Sequence, residues 1–235
     1  STVQDLLDAL RQTHERFAQH GCRASDHGLE RAVSRPVTAE RADDVYRRGL
    51  AGKNLDESEA ADFKSFMLQK FADMNKESGW VMQLHIGAVR DYRDSLHKSL
   101  GADSGGDVAT LNIDFTRDLR HLLNSFDDEL QIVIYCLDPA HYQSIATLTR
   151  AFPNASMGAP WWFNDSPWGI EKQLRQCATV DLLANHAGMV SDSRKILSYS
   201  SRMEMFRRCL CNVLGRMVER GQMPGSVARR TARWL

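Results

Sequence analysis

Apolar residues along the chain follow two recurring patterns, one typical of amphipathic helices and the other of buried strands. Leu6, Leu10 and Phe17 repeat with a helical period, and Gly21 follows them as a residue suited to end a helix. The runs "WVMQLHIGA" and "LQIVIYCL" are apolar at almost every position, which predicts strands buried on both faces. The pattern therefore predicts buried strands that are separated by helices.

Capping residues mark the ends of several predicted helices. Thr38 is the predicted N-cap of a helix over "TAERADDVYRRGLAG", and a second helix is predicted over "DESEAADFKSFMLQKFADMNKESG". Asp138 is a further predicted N-cap, with Pro139 at the first helical position after it. A long helix is predicted from about residue 198 to residue 220. Residues 31–78 are therefore predicted to contain helices joined by loops.

Five strand candidates alternate with these helices: "CRASD", "WVMQLHIGA", "LQIVIYCL", "NASMGAPWWF" and "HAGMVSD". Alternating strands and helices predict an α/β protein with a parallel sheet, and both a doubly wound sheet and a (β/α) barrel satisfy the pattern. Because a complete barrel needs eight strands, the barrel interpretation gives the second half of a (β/α)8 TIM-like barrel with about five parallel strands. The predicted units are then residues 1–30, a helical insertion over 31–78, and the remaining barrel elements with carboxyl-terminal helices over 79–235.

Charged, aromatic and hydrogen-bonding residues follow several of the predicted strands: Asp26, His27, His85, Arg90, Trp161, Trp162, Asp165, Asp192 and Arg194. Barrel enzymes collect their chemistry at the carboxyl ends of many different strands. A doubly wound sheet concentrates it at one crevice, usually beside a glycine-rich phosphate loop, and no GxGxxG or GxxxxGK[ST] occurs in this sequence. The distribution of polar residues therefore favours the barrel.

Each of these residues also has an ordinary structural explanation. A lone histidine on an apolar strand, such as His85, is often a core residue with satisfied hydrogen bonds, and Trp161 and Trp162 suit a hydrophobic core. The other histidines, among them His186, are assigned to the surface or to helix caps. Taken together, however, buried acids, imidazoles and guanidiniums need partners, a metal or a ligand. Two arginines suit an anionic substrate, and Asp192 suits metal binding or proton transfer.

Composition excludes several classes of partner. The 30 basic and 30 acidic residues give a formal net charge of zero, which argues against nucleic-acid binding. No apolar run approaches the length of a membrane span, and no signal peptide opens the chain. Five cysteines without a CxxC pair predict reduced thiols in a cytoplasmic protein. The expected partner is therefore a small molecule.

Five blocks in order, "GCRASDHG", "WVMQLHIGAVR", "WWFND", "GMVSDSRKILSY" and "FRRCLCNVLG", carry a resemblance to a known family. From about residue 5 to residue 224, the chain resembles the carboxyl-terminal part of uronate isomerase, also called glucuronate isomerase. That family belongs to the amidohydrolase superfamily of metal-dependent (β/α) barrels. The resemblance implies an aldose–ketose isomerisation, of D-glucuronate to D-fructuronate and of D-galacturonate to D-tagaturonate.

The resemblance also implies roles for individual residues. Asp192 matches an acid that binds or adjoins a divalent metal, usually zinc, and that is suited to transfer a proton. Asp26 and His85 match residues of the active-site mouth, with acid–base or hydrogen-bonding roles. The residues expected to bind the substrate, a sugar acid, are Arg90, Arg194, His27, Trp161, Trp162 and Asp165.

One departure from the superfamily pattern concerns the metal. Members begin their barrel with a His-x-His pair that supplies two ligands, and no such pair occurs in these 235 residues. Because zinc usually has three protein ligands, this chain alone is expected to be inactive, with the remaining ligands on an absent first strand. Two alternatives stay open: a metal-dependent hydrolase of the same superfamily, and a non-catalytic half-barrel that needs a partner. The exposed sheet edges of a half-barrel favour association between chains, so a homo-oligomer is one expected form.

Overall fold

The computed structural model describes residues 1–110, 112–193 and 195–235. Arg194, one of the predicted substrate-binding residues, lies outside the described residues. In the described part, the strands are β1 (Ala24–Leu29), β2 (Val81–Ile86), β3 (Ala88–Val89), β4 (Val108–Ala109), β5 (Ile132–Cys136) and β6 (Ala155–Met157). The helices are α1 (Val3–Gln19), α2 (Ala39–Leu50), α3 (Glu57–Ser78), α4 (Asp94–Leu100), α5 (Phe115–Asp118), α6 (Arg120–Ser125), α7 (Tyr142–Ala151), α8 (Pro167–Ala178), α9 (Ile196–Glu219) and α10 (Gly225–Trp234).

A parallel sheet with the strand order β1-β2-β5-β6 lies at the centre of the fold. The short strands β3 and β4 pair separately and antiparallel, directly after β2 in the chain. In the main sheet, Gly28 of β1 and Tyr135 of β5 lie on either side of His85. The predicted α/β class with a parallel sheet is therefore confirmed, with four strands in the main sheet.

The two faces of this sheet differ in chemistry. Met82, Leu84, Ile86 and Ile134 point to one face, where they are buried in a large apolar core together with residues of the helices. The opposite face carries the alternate positions, among them Gln83 and His85 of β2. The strands were predicted to be apolar on both faces, but they alternate, because side chains along a strand point to opposite sides in turn. One face is therefore available for polar chemistry.

A second, smaller apolar core joins the three amino-terminal helices. It contains Val3, Leu7, Ala42, Phe66, Met67 and Met74, from α1, α2 and α3. The predicted N-cap Thr38 is confirmed, since its side chain accepts a hydrogen bond from the Arg41 backbone N–H at the start of α2. Asp138 likewise accepts from Ala140 N–H, although a short 3-10 turn precedes α7. No helix in the described part of the chain is long and apolar enough to cross a membrane.

The fifth predicted strand, "HAGMVSD", does not form. Residues 186–193 have no strand conformation, and two of them, Gly188 (φ 79°) and Asp192 (φ 40°), have positive φ angles. A strand requires strongly negative φ at every residue, so these two residues interrupt an apolar run that otherwise matches the strand pattern. A backbone hydrogen bond, from Ala187 N–H to the Met157 carbonyl at 2.9 Å, connects the start of the segment to β6.

Candidate active site

A histidine and an aspartate form the centre of the polar face of the sheet. His85 Nδ1–H donates to Asp26 Oδ1 at 2.5 Å, which is possible because β1 and β2 are adjacent and parallel. His85 is 7% exposed, whereas the Asp26 side chain is 51% exposed. The other ring nitrogen, Nε2, is buried and has no hydrogen-bond partner among the described residues. The carboxylate therefore orients the ring and leaves Nε2 available to a ligand.

Aromatic side chains fix the plane of the His85 ring. Tyr135 of β5 stacks on it with ring centroids 4.1 Å apart, and Trp161 meets it edge-on at 4.6 Å. The Tyr135 hydroxyl donates to Gln83 Oε1 at 2.7 Å. Burial, with smaller contributions from the carboxylates of Asp26 and Asp192, raises the pKa of Tyr135 well above its usual value. Tyr135 therefore stays protonated and serves as a fixed wall of the site.

Gly158, just after β6, makes room for this wall. A Cβ atom at position 158 would overlap the Tyr135 ring. We expect Gly158→Ala to lower the free energy of unfolding by about 1–3 kcal/mol, the usual effect of overpacking, and to displace Tyr135 from His85. Urea unfolding measures the first effect, and the NMR shifts of the His85 ring measure the second.

Gly215→Ala is the matched control for this substitution. Gly215 lies within α9 and has open space around its Cα, so alanine there is expected to stabilise the helix by about 0.5–1 kcal/mol. Equal unfolding curves for the two variants would contradict the role given to Gly158.

A cavity of about 510 Å³ opens at the carboxyl ends of β1 and β2. Its lining includes Asp26, His85, Arg90, Trp161 and Asp192. The structure therefore brings together five residues that the sequence singled out from four separate segments. Three carboxylates (Asp26, Asp192 and also Glu30), one imidazole and one guanidinium share this cavity, which suits proton transfer on an anionic ligand.

Arg90 lies where this cavity meets a second one of about 290 Å³, to which Trp162 also contributes. The Arg90 guanidinium stacks over the Trp162 ring at 4.8 Å. Its Nη1 lies 3.4 Å from Asp103 and 3.5 Å from Asp107. These contacts hold the guanidinium at the cavity wall. Because both ion pairs are long, the guanidinium is suited to bind an anionic ligand at shorter distance.

Two predicted substrate-binding residues lie away from the cavity. Asp165 is buried, with its side chain 2% exposed, and forms an ion pair of 3.0 Å with Arg202. Burial raises the pKa of Asp165, and the charge of Arg202 partly opposes this. His27 points to the opposite face of the sheet from Asp26, where its Nε2 is 2.8 Å from the Ser25 hydroxyl and its ring packs against Phe71. The alternation of side chains along β1 separates Asp26 from His27.

His186 was assigned to the surface or a cap, but it is buried at the start of the irregular segment. Its Nδ1 accepts the Gly188 N–H at 3.0 Å, and its Nε2 lies 3.1 Å from Gln173 Oε1. With Nδ1 as acceptor, Nε2–H donates to Gln173, which defines a neutral ring. His186 therefore holds the backbone four residues before Asp192.

Acid should weaken the fold through His186. Burial lowers the pKa of His186 from 6.5 to about 4. Above pH 6.5 the ring is neutral in both the folded and unfolded chain. As the pH falls from 6.5 to about 4, the unfolded chain binds a proton that the folded chain does not, so stability decreases. The difference between the two pKa values corresponds to about 3 kcal/mol.

Urea unfolding at pH 7, 6 and 5 checks this expectation. His186→Asn keeps an acceptor for the Gly188 N–H but does not titrate, so its stability should fall less steeply with acid than that of the wild type. His20→Asn, at an exposed position, should keep the wild-type slope. If the free energy of unfolding fell equally with pH in all three proteins, His186 would not be the source of the acid destabilisation.

The described residues do not form a complete metal centre. Among residues 1–110, 112–193 and 195–235, no group of three or more His, Cys, Asp or Glu side chains is arranged to hold a metal ion. Asp192 is thus a ligand candidate without enough companions in this part of the chain, since zinc usually takes at least three protein ligands.

Comparison with known proteins gives a consistent result. A sequence model of the glucuronate isomerase family matches residues 1–231. Uronate isomerase from Thermotoga sp. (strain RQ2) is 55% identical over 229 residues, which cover 97% of this chain and 51% of that protein. The chain therefore spans about half the length of this curated relative.

Solved structures agree with this similarity. The crystal structure of uronate isomerase from Thermotoga maritima superposes with a TM-score of 0.96 at 53% identity, covering 99% of this chain and 52% of that one. Glucuronate isomerase from Caulobacter crescentus superposes with a TM-score of 0.89 at 28% identity, covering 97% of this chain and 47% of that one.

Proposed function

Since the chain belongs to the glucuronate isomerase family, we propose that its polar cavity is part of an active site that interconverts an aldose uronate with its ketose. The substrate pairs are D-glucuronate with D-fructuronate and D-galacturonate with D-tagaturonate. The observation that carries this proposal is the buried, unpartnered Nε2 of His85, in a cavity that it shares with Asp192 and Arg90.

The isomerisation needs groups that move protons between neighbouring carbons. A proton must leave C2, another must reach C1, and the enediol-like charge between these steps must be stabilised. His85 is suited to one transfer, because Asp26 orients its ring through a hydrogen bond to Nδ1. Asp192 is suited to the other transfer. Arg90 is suited to the substrate carboxylate, since it provides a guanidinium at the cavity wall.

The four parallel strands support a proposal for the architecture of the intact enzyme. Helices cover one face of the sheet and the site lies on the other, as on the inner face of a barrel wall. We propose that the chain forms the second half of a (β/α)8 barrel, made of residues 1–30 and 79–235 with a helical insertion over 31–78. It would act in the cytoplasm on a small sugar acid, with homo-oligomerisation as a further expectation.

For the metal, we propose that Asp192 is one ligand of a divalent ion, zinc by the family resemblance. The described residues alone do not fit a complete metal site. The other ligands would come from residues that correspond to the unmatched half of the relatives. The proton transfers proposed above use the side chains of His85 and Asp192 and do not involve the metal.

A chimera tests the function. It joins this chain to the part of the Thermotoga maritima uronate isomerase that the chain does not match, and we call it the chimera below. We expect the chimera to isomerise D-glucuronate or D-galacturonate, and the chain alone to show no turnover. The intact Thermotoga maritima protein is the control for the assay.

Two results would count against the proposal. Hydrolysis of small esters or lactones without isomerisation would favour a metal-dependent hydrolase of the superfamily. A folded chimera without either activity would favour a non-catalytic half-barrel.

A further inference from the structure

Arg202, on α9, contacts the segment that carries Asp192. Its Nη1 donates to the Ser191 carbonyl at 2.6 Å and forms an ion pair of 3.0 Å with Asp165. Ser191 directly precedes Asp192 in the chain. The α9 helix has 24 residues and packs into the main core through Phe206 and Leu210. Arg202 therefore links a rigid helix to an irregular segment.

Asp192 has a backbone conformation that needs such support. Its φ angle of 40° lies in the left-handed region, which costs a residue with a side chain about 1–2 kcal/mol. Residues 186–193 form no strand, so no ladder of sheet hydrogen bonds fixes the direction of the Asp192 side chain. On the far side of Asp192, the Ser193 and Ser198 hydroxyls are hydrogen-bonded to each other. Contacts with α9 thus hold the chain on both sides of the carboxylate.

Asp165 holds Arg202 in turn. Its Oδ2 forms the ion pair with Arg202, while its Oδ1 is buried without a hydrogen-bond partner among the described residues. The guanidinium is therefore the main compensation for burying this carboxylate. The neighbouring Asn164 anchors the same turn, because its side-chain amide donates to the Leu137 carbonyl at 2.5 Å.

From these contacts we propose that Arg202 is a positioning residue for Asp192. The chain of contacts runs from the turn after β6, through Asp165 and Arg202, to the Ser191 carbonyl. Asp165 then acts by fixing Arg202 and does not need to touch the substrate. This inference rests on the proposed function for the role of Asp192 in proton transfer, but the contacts themselves are testable without activity.

The first test measures the backbone of this chain directly. We expect Arg202→Met to shift the NMR backbone signals of residues 191–193 strongly, and Arg202→Lys to restore part of the wild-type pattern. Arg208→Met is the matched control, because Arg208 lies on the same helix, is 77% exposed in its side chain and pairs with Glu204. Signals of residues 191–193 that move no more in Arg202→Met than in Arg208→Met would overturn the proposal.

The second test measures catalysis in the chimera. Arg202→Met should lower kcat by about 10- to 100-fold, as expected for a displaced catalytic group, with KM within about threefold of the wild type. Arg202→Lys should recover part of kcat, whereas a purely structural role would lower the amount of folded enzyme and leave kcat per folded molecule unchanged. Unchanged kcat would overturn the proposal.

A double variant covers the case in which Arg202→Met fails to fold because Asp165 is left buried without its cation. Arg202→Gln combined with Asp165→Asn removes both charges and should still shift the signals of residues 191–193. Wild-type signals for these residues in the folded double variant would overturn the proposal. An inactive wild-type chimera would reject the proposed function, and the NMR comparison would still decide the role of Arg202.

Discussion

Replacing His85 by glutamine is expected to lower kcat of the chimera for uronate isomerisation by about 10²–10⁴-fold, the usual contribution of a general acid–base group. Glutamine fills similar space and can keep a hydrogen bond to Asp26, but it cannot exchange a proton at neutral pH. Because the residues suited to bind the sugar acid stay in place, KM should change much less than kcat. Steady-state kinetics with D-glucuronate and D-galacturonate measure both constants.

The control for this substitution is His20→Gln, at an exposed position directly after α1, which should leave both constants unchanged. Near-UV circular dichroism reports whether the aromatic cluster around position 85 keeps its packing. A loss of kcat below threefold in a well-folded His85→Gln enzyme would remove His85 from the proton-transfer step.

Asp192→Asn is expected to have an effect of similar size, a fall in kcat of about 10²–10⁴-fold. The amide keeps the shape of the side chain and tolerates the left-handed backbone at this position, since asparagine adopts it more readily than most residues. It cannot accept a proton and is a poorer metal ligand than a carboxylate. The rate of exchange of the C2 proton of the substrate with solvent, measured by NMR in D₂O, should fall together with kcat.

Asp127→Asn is the control, because Asp127 is exposed and precedes β5, at the end of the sheet opposite the cavity. Wild-type C2 exchange in Asp192→Asn would show that another group removes the proton. Metal analysis of the two purified chimeras would then report separately whether Asp192 is a ligand.

The sequence singled out Asp26 and His85 on two neighbouring strands, and their side chains are hydrogen-bonded in the structure. His85 lies near the end of β2, whose apolar run is easy to recognise, whereas β1 continues past Asp26 to Leu29. His27 is predicted at the same site, but register decides which of two consecutive residues points inward, and His27 packs against Phe71 on the other face. Gln83 and His85 alternate with apolar residues along β2, and this period of two was the local sign that one face of the strand is polar.

Other features depend on contacts between residues that are distant in the sequence. The apolar run from Ala187 to Val190 matches a strand, and only the positive φ angles at Gly188 and Asp192 interrupt it. Arg202 belongs to a helix rich in arginine, so its pattern does not distinguish it from Arg208, which pairs with Glu204. Buried Asp165 fixes the position of Arg202. Its burial follows from the packing of α8 and α9 and not from a local motif.

The edge contact between Trp161 and His85 places an intrinsic fluorophore in the wall of the cavity. Trp161 is buried against the imidazole, with ring centroids 4.6 Å apart, and both side chains line the cavity. An anion that enters the cavity displaces the water beside both rings. The fluorescence of Trp161, one of the five tryptophans, is therefore expected to change when the cavity is occupied, without a label and without turnover.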